Sequence, residues 1–77
     1  MEHYKKFLAK LSAKNKESVY VIIEKLISLD FANLDIKKLR GYPSWYRVRV
    51  GKIRIIYRYN GRFVQIIDIG FRKDAYK

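Results

Sequence analysis

Between Trp45 and Tyr76 arginine alternates with β-branched and aromatic residues, with breaks at Gly51 and at Asn60-Gly61. A period of two residues with glycine-containing breaks is the pattern of strand, turn, strand, turn, strand. No helix could satisfy it, so the rest of the chain must supply whatever covers the apolar side of a small sheet.

The turns set the register. A two-residue loop at Gly51-Lys52 places Val50 opposite Ile53 and Val48 opposite Ile55. A two-residue type I′ loop at Asn60-Gly61 places Tyr59 opposite Arg62, Tyr57 opposite Val64 and Ile55 opposite Ile66. Both assignments put Tyr46, Val48, Val50, Ile53, Ile55, Tyr57, Val64 and Ile66 on one face. Alternation then assigns Trp45, Arg47, Arg49, Arg54, Ile56, Arg58, Phe63, Gln65 and Ile67 to the other. Arg49 faces Arg54, a like-charge pair that costs about 0.2 to 1 kcal/mol unless an anion lies between them. Asp68 falls on the core side in this register, where only a strand end or a bulge would accommodate it.

Upstream, Tyr4, Phe7, Leu8 and Leu11 have the spacing of one buried helical stripe. Ser12 is a candidate N-cap for a second helix, in which Val19, Ile22, Ile23 and Leu26 repeat that spacing and Leu29 extends it. Two helices joined so closely predict a hairpin. Residues 30–44 form the connector, closed by Gly41 and Pro43, with Ile36 and Leu39 as buried anchors and room for one short strand. The expected fold class is α+β, a two-helix hairpin on an antiparallel sheet of three to four strands, in a single domain spanning residues 1–77.

Such a domain needs about half its residues to be apolar, and 49% are. The same chain carries 18 Lys and Arg against 7 Asp and Glu, a net charge of +11. That excess predicts a polyanionic partner. With no cysteine, neither a disulfide framework nor a thiolate metal site can form. The N-terminal residues lack the pattern of a signal peptide, and the longest apolar run, Val19 to Ile23, cannot span a bilayer. A cytoplasmic protein without a membrane partner is expected.

From Ile36 to Ile67 there are nine basic residues and no acid. Six of the nine are arginines: Arg40, Arg47, Arg49, Arg54, Arg58 and Arg62. The planar guanidinium fork suits phosphate, so the face bearing Arg47, Arg49, Arg54 and Arg58 is read as an anion-binding surface rather than a merely solvated one. Trp45, Phe63 and Phe71 are placed to stack on unpaired bases, and each alone fits edge-of-core packing equally well. Arg40, Trp45, Arg58, Phe71 and Lys73 are the candidate RNA-binding residues. Tyr42, Tyr46, Tyr57 and Tyr59 are assigned to structure. With one histidine, His3, and no acid cluster on the basic face, neither a metal nor a cofactor is expected.

Lys37-Lys-Leu-Arg-Gly, Trp45-Tyr-Arg-Val-Arg-Val-Gly, Ile53-Arg-Ile-Ile-Tyr-Arg and Asp68-Ile-Gly-Phe-Arg-Lys-Asp-Ala-Tyr together resemble, in order and spacing, the RelE/ParE superfamily of type II toxin-antitoxin toxins. The resemblance implies a RelE-like fold and a toxin that cleaves mRNA on the ribosome, held inactive by a cognate acidic antitoxin. It further implies metal-free catalysis by basic residues and a C-terminal tyrosine. Position by position, those roles fall on Arg47, Arg49, Arg54, Arg72 and Tyr76. Three features depart from the family pattern. Arginines stand where some relatives have a lysine pair, Phe71 stands where a histidine is common, and the strand that usually precedes the first helix is not evident. These departures keep two alternatives in view: a ParE-like toxin that poisons DNA gyrase, and a homologue that binds RNA or antitoxin with weak catalysis. Codon preference and oligomeric state are left open by the sequence.

Overall fold

The computed structural model describes residues 4–71. Two helices, α1 (Tyr4–Ala9) and α2 (Ala13–Ile27), are followed by four strands: β1 (Asp35–Lys38), β2 (Trp45–Val50), β3 (Ile53–Tyr59) and β4 (Val64–Phe71). The strands form one antiparallel sheet in the order β1-β2-β3-β4. Both helices lie on one side of it, α1 on β4 and α2 across β2 and β4. The architecture is α+β, as the sequence predicts, with the optional fourth strand supplied by the connector.

The core is the layer between helices and sheet. Leu8, Val19 and Leu26 from the helices meet Val48, Ile53, Ile55, Tyr57, Val64 and Ile69 from the strands, and all nine are buried. Phe7, Leu11, Ile22 and Ile23 flank this cluster half-buried, so Phe7, Leu8 and Leu11 of the first predicted stripe and Val19, Ile22, Ile23 and Leu26 of the second face the sheet, while the Tyr4 side chain lies outside what is described. Ser12 caps α2 as expected, its hydroxyl accepting from the Asn15 amide at 3.2 Å. That bond satisfies one of the amides a helix start leaves without an intrahelical partner.

Leu29 does not extend the α2 stripe. The helix ends at Ile27, and Leu29 takes a left-handed conformation with φ 59°. The Leu29 amide donates to the Leu26 carbonyl and the Asp30 amide to the Lys25 carbonyl. This crossed pair is a Schellman cap, whose left-handed position usually holds glycine. Leu29 is consequently exposed. The connector anchors are also shallower than predicted, Ile36 and Leu39 being half-buried.

The β2–β3 hairpin follows the expected register, Val50 opposite Ile53 and Val48 opposite Ile55. Gly51, at φ 60°, supplies the positive dihedral that this two-residue turn requires. The β3–β4 hairpin departs from it. Tyr59 pairs with Val64 rather than Arg62, and Tyr57 with Ile66 rather than Val64, so the loop holds four residues, 60–63, and Phe63 lies in it rather than on a strand. Asn60 explains the difference. Its Oδ1 accepts from the Arg62 amide at 2.9 Å and the Phe63 amide at 3.1 Å, an Asx-type turn. Asn60 thus keeps a negative φ, whereas a type I′ turn needs a positive one at both central positions.

The two-residue shift preserves alternation, so Val64 and Ile66 still face the helices. Beyond them the register jumps: Tyr57 pairs with Ile66 but Ile56 with Asp68, leaving Ile67 as the extra residue of a β-bulge. The bulge reverses the facing of all that follows. Ile69 becomes buried beneath the helices, and Asp68 moves to the opposite face, where a carboxylate avoids the cost of burial.

Candidate nucleic-acid interface

The side of the sheet away from the helices is built as three rows across the strands. Trp45, Arg58 and Gln65 form the first. Lys37, Arg47, Ile56 and Asp68 form the second, and Asp35, Arg49, Arg54 and Gly70 the third. Neighbouring rows stand about 7 Å apart, two residues of strand rise. Arg49 is directly opposite Arg54, and Arg47 is two residues from Arg49 on the same strand. Three arginines therefore stand on neighbouring positions of one face of the sheet.

Ile56 is 3% exposed although no helix covers it. The Nε atoms of Arg47, Arg49 and Arg54, on the same face, are likewise shielded from solvent. Arg49 Nε has no hydrogen-bond acceptor among the described residues, and the nearest carboxylate oxygen, Asp35 Oδ2, is 4.0 Å away. An ion pair of that length between two partly exposed side chains contributes little. Arg49 is thus only weakly compensated by Asp35.

Of the residues singled out in the sequence, Arg47, Arg49, Arg54, Arg58 and Trp45 share this face. Trp45 stacks on Tyr42 with centroids 5.4 Å apart, and Tyr42 is itself 53% exposed. Tyr42, read from sequence as structural, therefore widens the aromatic rim. Arg40 is exposed in the β1–β2 loop and does not belong to the three rows. Phe71 is not on the arginine face. It pairs with Ile53 on the helix side and meets Phe7 edge-on at 5.0 Å, so the edge-of-core reading holds for it and base stacking on the arginine face does not. Its place beyond the bulge is what turns it over. Arg72, Lys73 and Tyr76 lie outside the described residues.

Sequence reasoning missed three residues of the face. Lys37 and Asp35 join it through β1, whose pairing no local pattern revealed, and Asp68 joins it through the bulge. Asp68 is half-buried, and its Oδ1 accepts from the Ile69 amide at 2.9 Å. Among the described residues, a clearly displaced titration lies on the other side of the sheet. Burial, and secondarily the neighbouring Tyr46, push the Tyr57 phenol up to about 12, which removes it as a proton acceptor at neutral pH. Among the described residues no three His, Asp or Glu side chains gather as a metal site, and no helix is long and apolar enough to cross a membrane.

A helical layer on one side of a four-stranded antiparallel sheet, with arginines across the other, is a RelE-like α+β architecture, and the chain is similar in sequence and in fold to RelE toxins. Two relatives from Methanocaldococcus jannaschii make this specific. The chain is 43% identical over 49 residues to Toxin RelE3, a match spanning 64% of this chain and 56% of that protein. It is 44% identical over 45 residues to Putative toxin RelE1, spanning 56% of this chain and 50% of that one. The matches thus cover about half the length of either relative. In three dimensions it superposes on a chain of the RelB-RelE antitoxin-toxin complex from Methanococcus jannaschii with a TM-score of 0.80 at 29% identity, covering 95% of this chain and 88% of that chain. No family model matches the sequence.

Proposed function

We propose that the protein is the toxin of a type II toxin-antitoxin pair and that it cleaves mRNA on the ribosome, in the cytoplasm, until an acidic antitoxin neutralises it. The observation that carries this reading is the gathering of Arg47, Arg49 and Arg54 on one helix-free patch, with Arg49 and Arg54 in direct cross-strand register. Like charges held face to face are unfavourable by themselves and become favourable around an anion. The antitoxin partner is supported by the related solved structure, which is a complex of a toxin with its antitoxin.

The chemistry suited to such a patch is internal transesterification of RNA. The 2′-oxygen bonds to the adjacent phosphorus as its proton departs, the bond from phosphorus to the 5′-oxygen breaks, and that oxygen takes up a proton. The products are a 2′,3′-cyclic phosphate and a 5′-hydroxyl. Negative charge builds on the phosphoryl oxygens in the transition state, where preplaced guanidinium donors stabilise it without reorganising. Arginine holds its proton to pH 12 and beyond, so it stabilises charge rather than acting as a base. Tyr76 is the residue assigned to orient or deprotonate the 2′-hydroxyl, with Arg72 as a further charge donor. DNA, lacking that hydroxyl, is inert in this scheme.

Primer extension on translated mRNA after induction tests the proposal, together with the end chemistry of RNA recovered from stalled ribosomes. Codon-phased cuts with 5′-hydroxyl ends are expected, and Arg49→Ala should reduce them by about 10² to 10³. Intact mRNA accompanied by DNA damage would transfer the protein to a gyrase-poisoning role instead.

A further inference from the structure

At the end of the arginine face, beside the first of its three rows, lies a depression of about 230 Å³ lined by Arg58, Asn60, Phe63 and Gln65. Phe63 is 62% exposed, a large apolar ring held at the surface by the four-residue loop. A ring in that setting is a stacking platform for a nucleobase. We infer that this depression is a base-binding subsite that prefers guanine, an inference that rests on the RNA reading above and adds a specificity to it.

The preference follows from hydrogen-bond inventory. A carboxamide oxygen has two lone pairs, and Asn60 Oδ1 is already engaged by the Arg62 and Phe63 amides. The same turn that sets the loop length therefore leaves Asn60 presenting its Nδ2 amino group, which only donates. Arg58 has five donors and no acceptor. The Gln65 amide can turn either way and discriminates little. A donor-rich pocket selects a base edge made of acceptors. Guanine offers O6 and N7 side by side, the pair that an arginine fork matches, whereas adenine replaces O6 with an amino donor. Adenine would leave donors of the pocket facing a donor.

Position along the face agrees. Arg58 stands about 7 Å from the row of Arg47 and about 14 Å from that of Arg49 and Arg54, two and four residues of strand. A base seated on Phe63 thus belongs to a nucleotide one or two steps along an extended strand from a phosphate held by the arginines.

The test is fluorescence anisotropy of the full chain with short single-stranded oligouridines carrying one central guanosine, adenosine or 7-deazaguanosine. Guanosine should bind about fivefold or more tightly than adenosine, and removing N7 should erase most of the difference. Asn60→Asp keeps the oxygen that both loop amides need while replacing the amino donor. It should collapse the ratio of guanosine to adenosine affinity, whatever it does to affinity overall. Phe63→Ala should weaken all the oligonucleotides about fivefold or more by removing the stacking platform. Equal affinity for guanosine and adenosine, or a ratio unchanged in Asn60→Asp, would overturn the guanine pocket while leaving the RNA reading intact. Absence of binding to any of the RNAs at low salt would overturn that reading itself.

Discussion

The two faces of this sheet are made from the same strands and obey opposite rules. On the helix side Val48, Ile55 and Tyr57 are buried to 2% exposure or less, and each gains from the removal of apolar surface from water. On the other side Arg47, Arg49 and Arg54 bring like charges together around one buried isoleucine position, Ile56, which pairs with Arg47. One face holds the fold together, and the other is held in place by it at some electrostatic cost. Because alternation separates the two sets of side chains so cleanly, stability and function should be separable by mutation.

The largest effect is expected on the helix side. Leu26→Ala removes a fully buried side chain facing the sheet and should cost about 2 to 5 kcal/mol. A domain of this size has only about 3 to 5 kcal/mol to lose, so chemical denaturation should find the variant partly unfolded. Retention of near-native stability would show that the core does not lie where the burial places it.

Arg49→Ala should do the reverse. Cleavage should fall by about 10² to 10³, the effect of deleting one preplaced donor. The denaturation midpoint should stay level or rise slightly, because the loss relieves the repulsion with Arg54, about 0.2 to 1 kcal/mol, against a weak pair with Asp35. A large loss of stability would blur the division between the faces.

Tyr57 sharpens the same contrast through pH. Its folded pKa of about 12 lies above the ordinary 10, so the folded state retains a proton that the unfolded state has released. The stabilisation from the neutral phenol is complete below pH 10 and is lost as pH rises from 10 toward 12, at up to about 1.4 kcal/mol per pH unit. Denaturation curves in that window should show the slope, and Tyr57→Phe should remove it.

The smallest effect belongs to neither face. Leu29 occupies a left-handed position at the α2 cap, and Leu29→Gly should raise stability by about 1 kcal/mol without altering cleavage. A loss on that substitution would mean that the half-exposed Leu29 side chain packs to more advantage than its dihedral costs.

Much of this molecule is legible in the sequence because alternation is local. Trp45 to Val50 and Ile53 to Tyr59 reveal their facing directly, and a single-glycine turn leaves their register no freedom. The Asn60-Gly61 turn misleads because dipeptide preference does not report where the asparagine side chain points. Here it binds two amides further along the loop and lengthens the turn. The error was harmless to the core, since a slip of two residues leaves every side chain on its face. Phe63 and Phe71 were affected, the first moved into a loop and the second turned over by the bulge.

What the residues determined unaided is the separation of an apolar face from an arginine face, for a period-two pattern carries that information within each strand. The bulge at Ile67 and the recruitment of Asp35 and Lys37 to the basic face were decided by tertiary structure. Each depends on which distant strand a backbone pairs with and on keeping the Asp68 carboxylate out of the helix-covered core, energies that do not exist until the sheet is assembled.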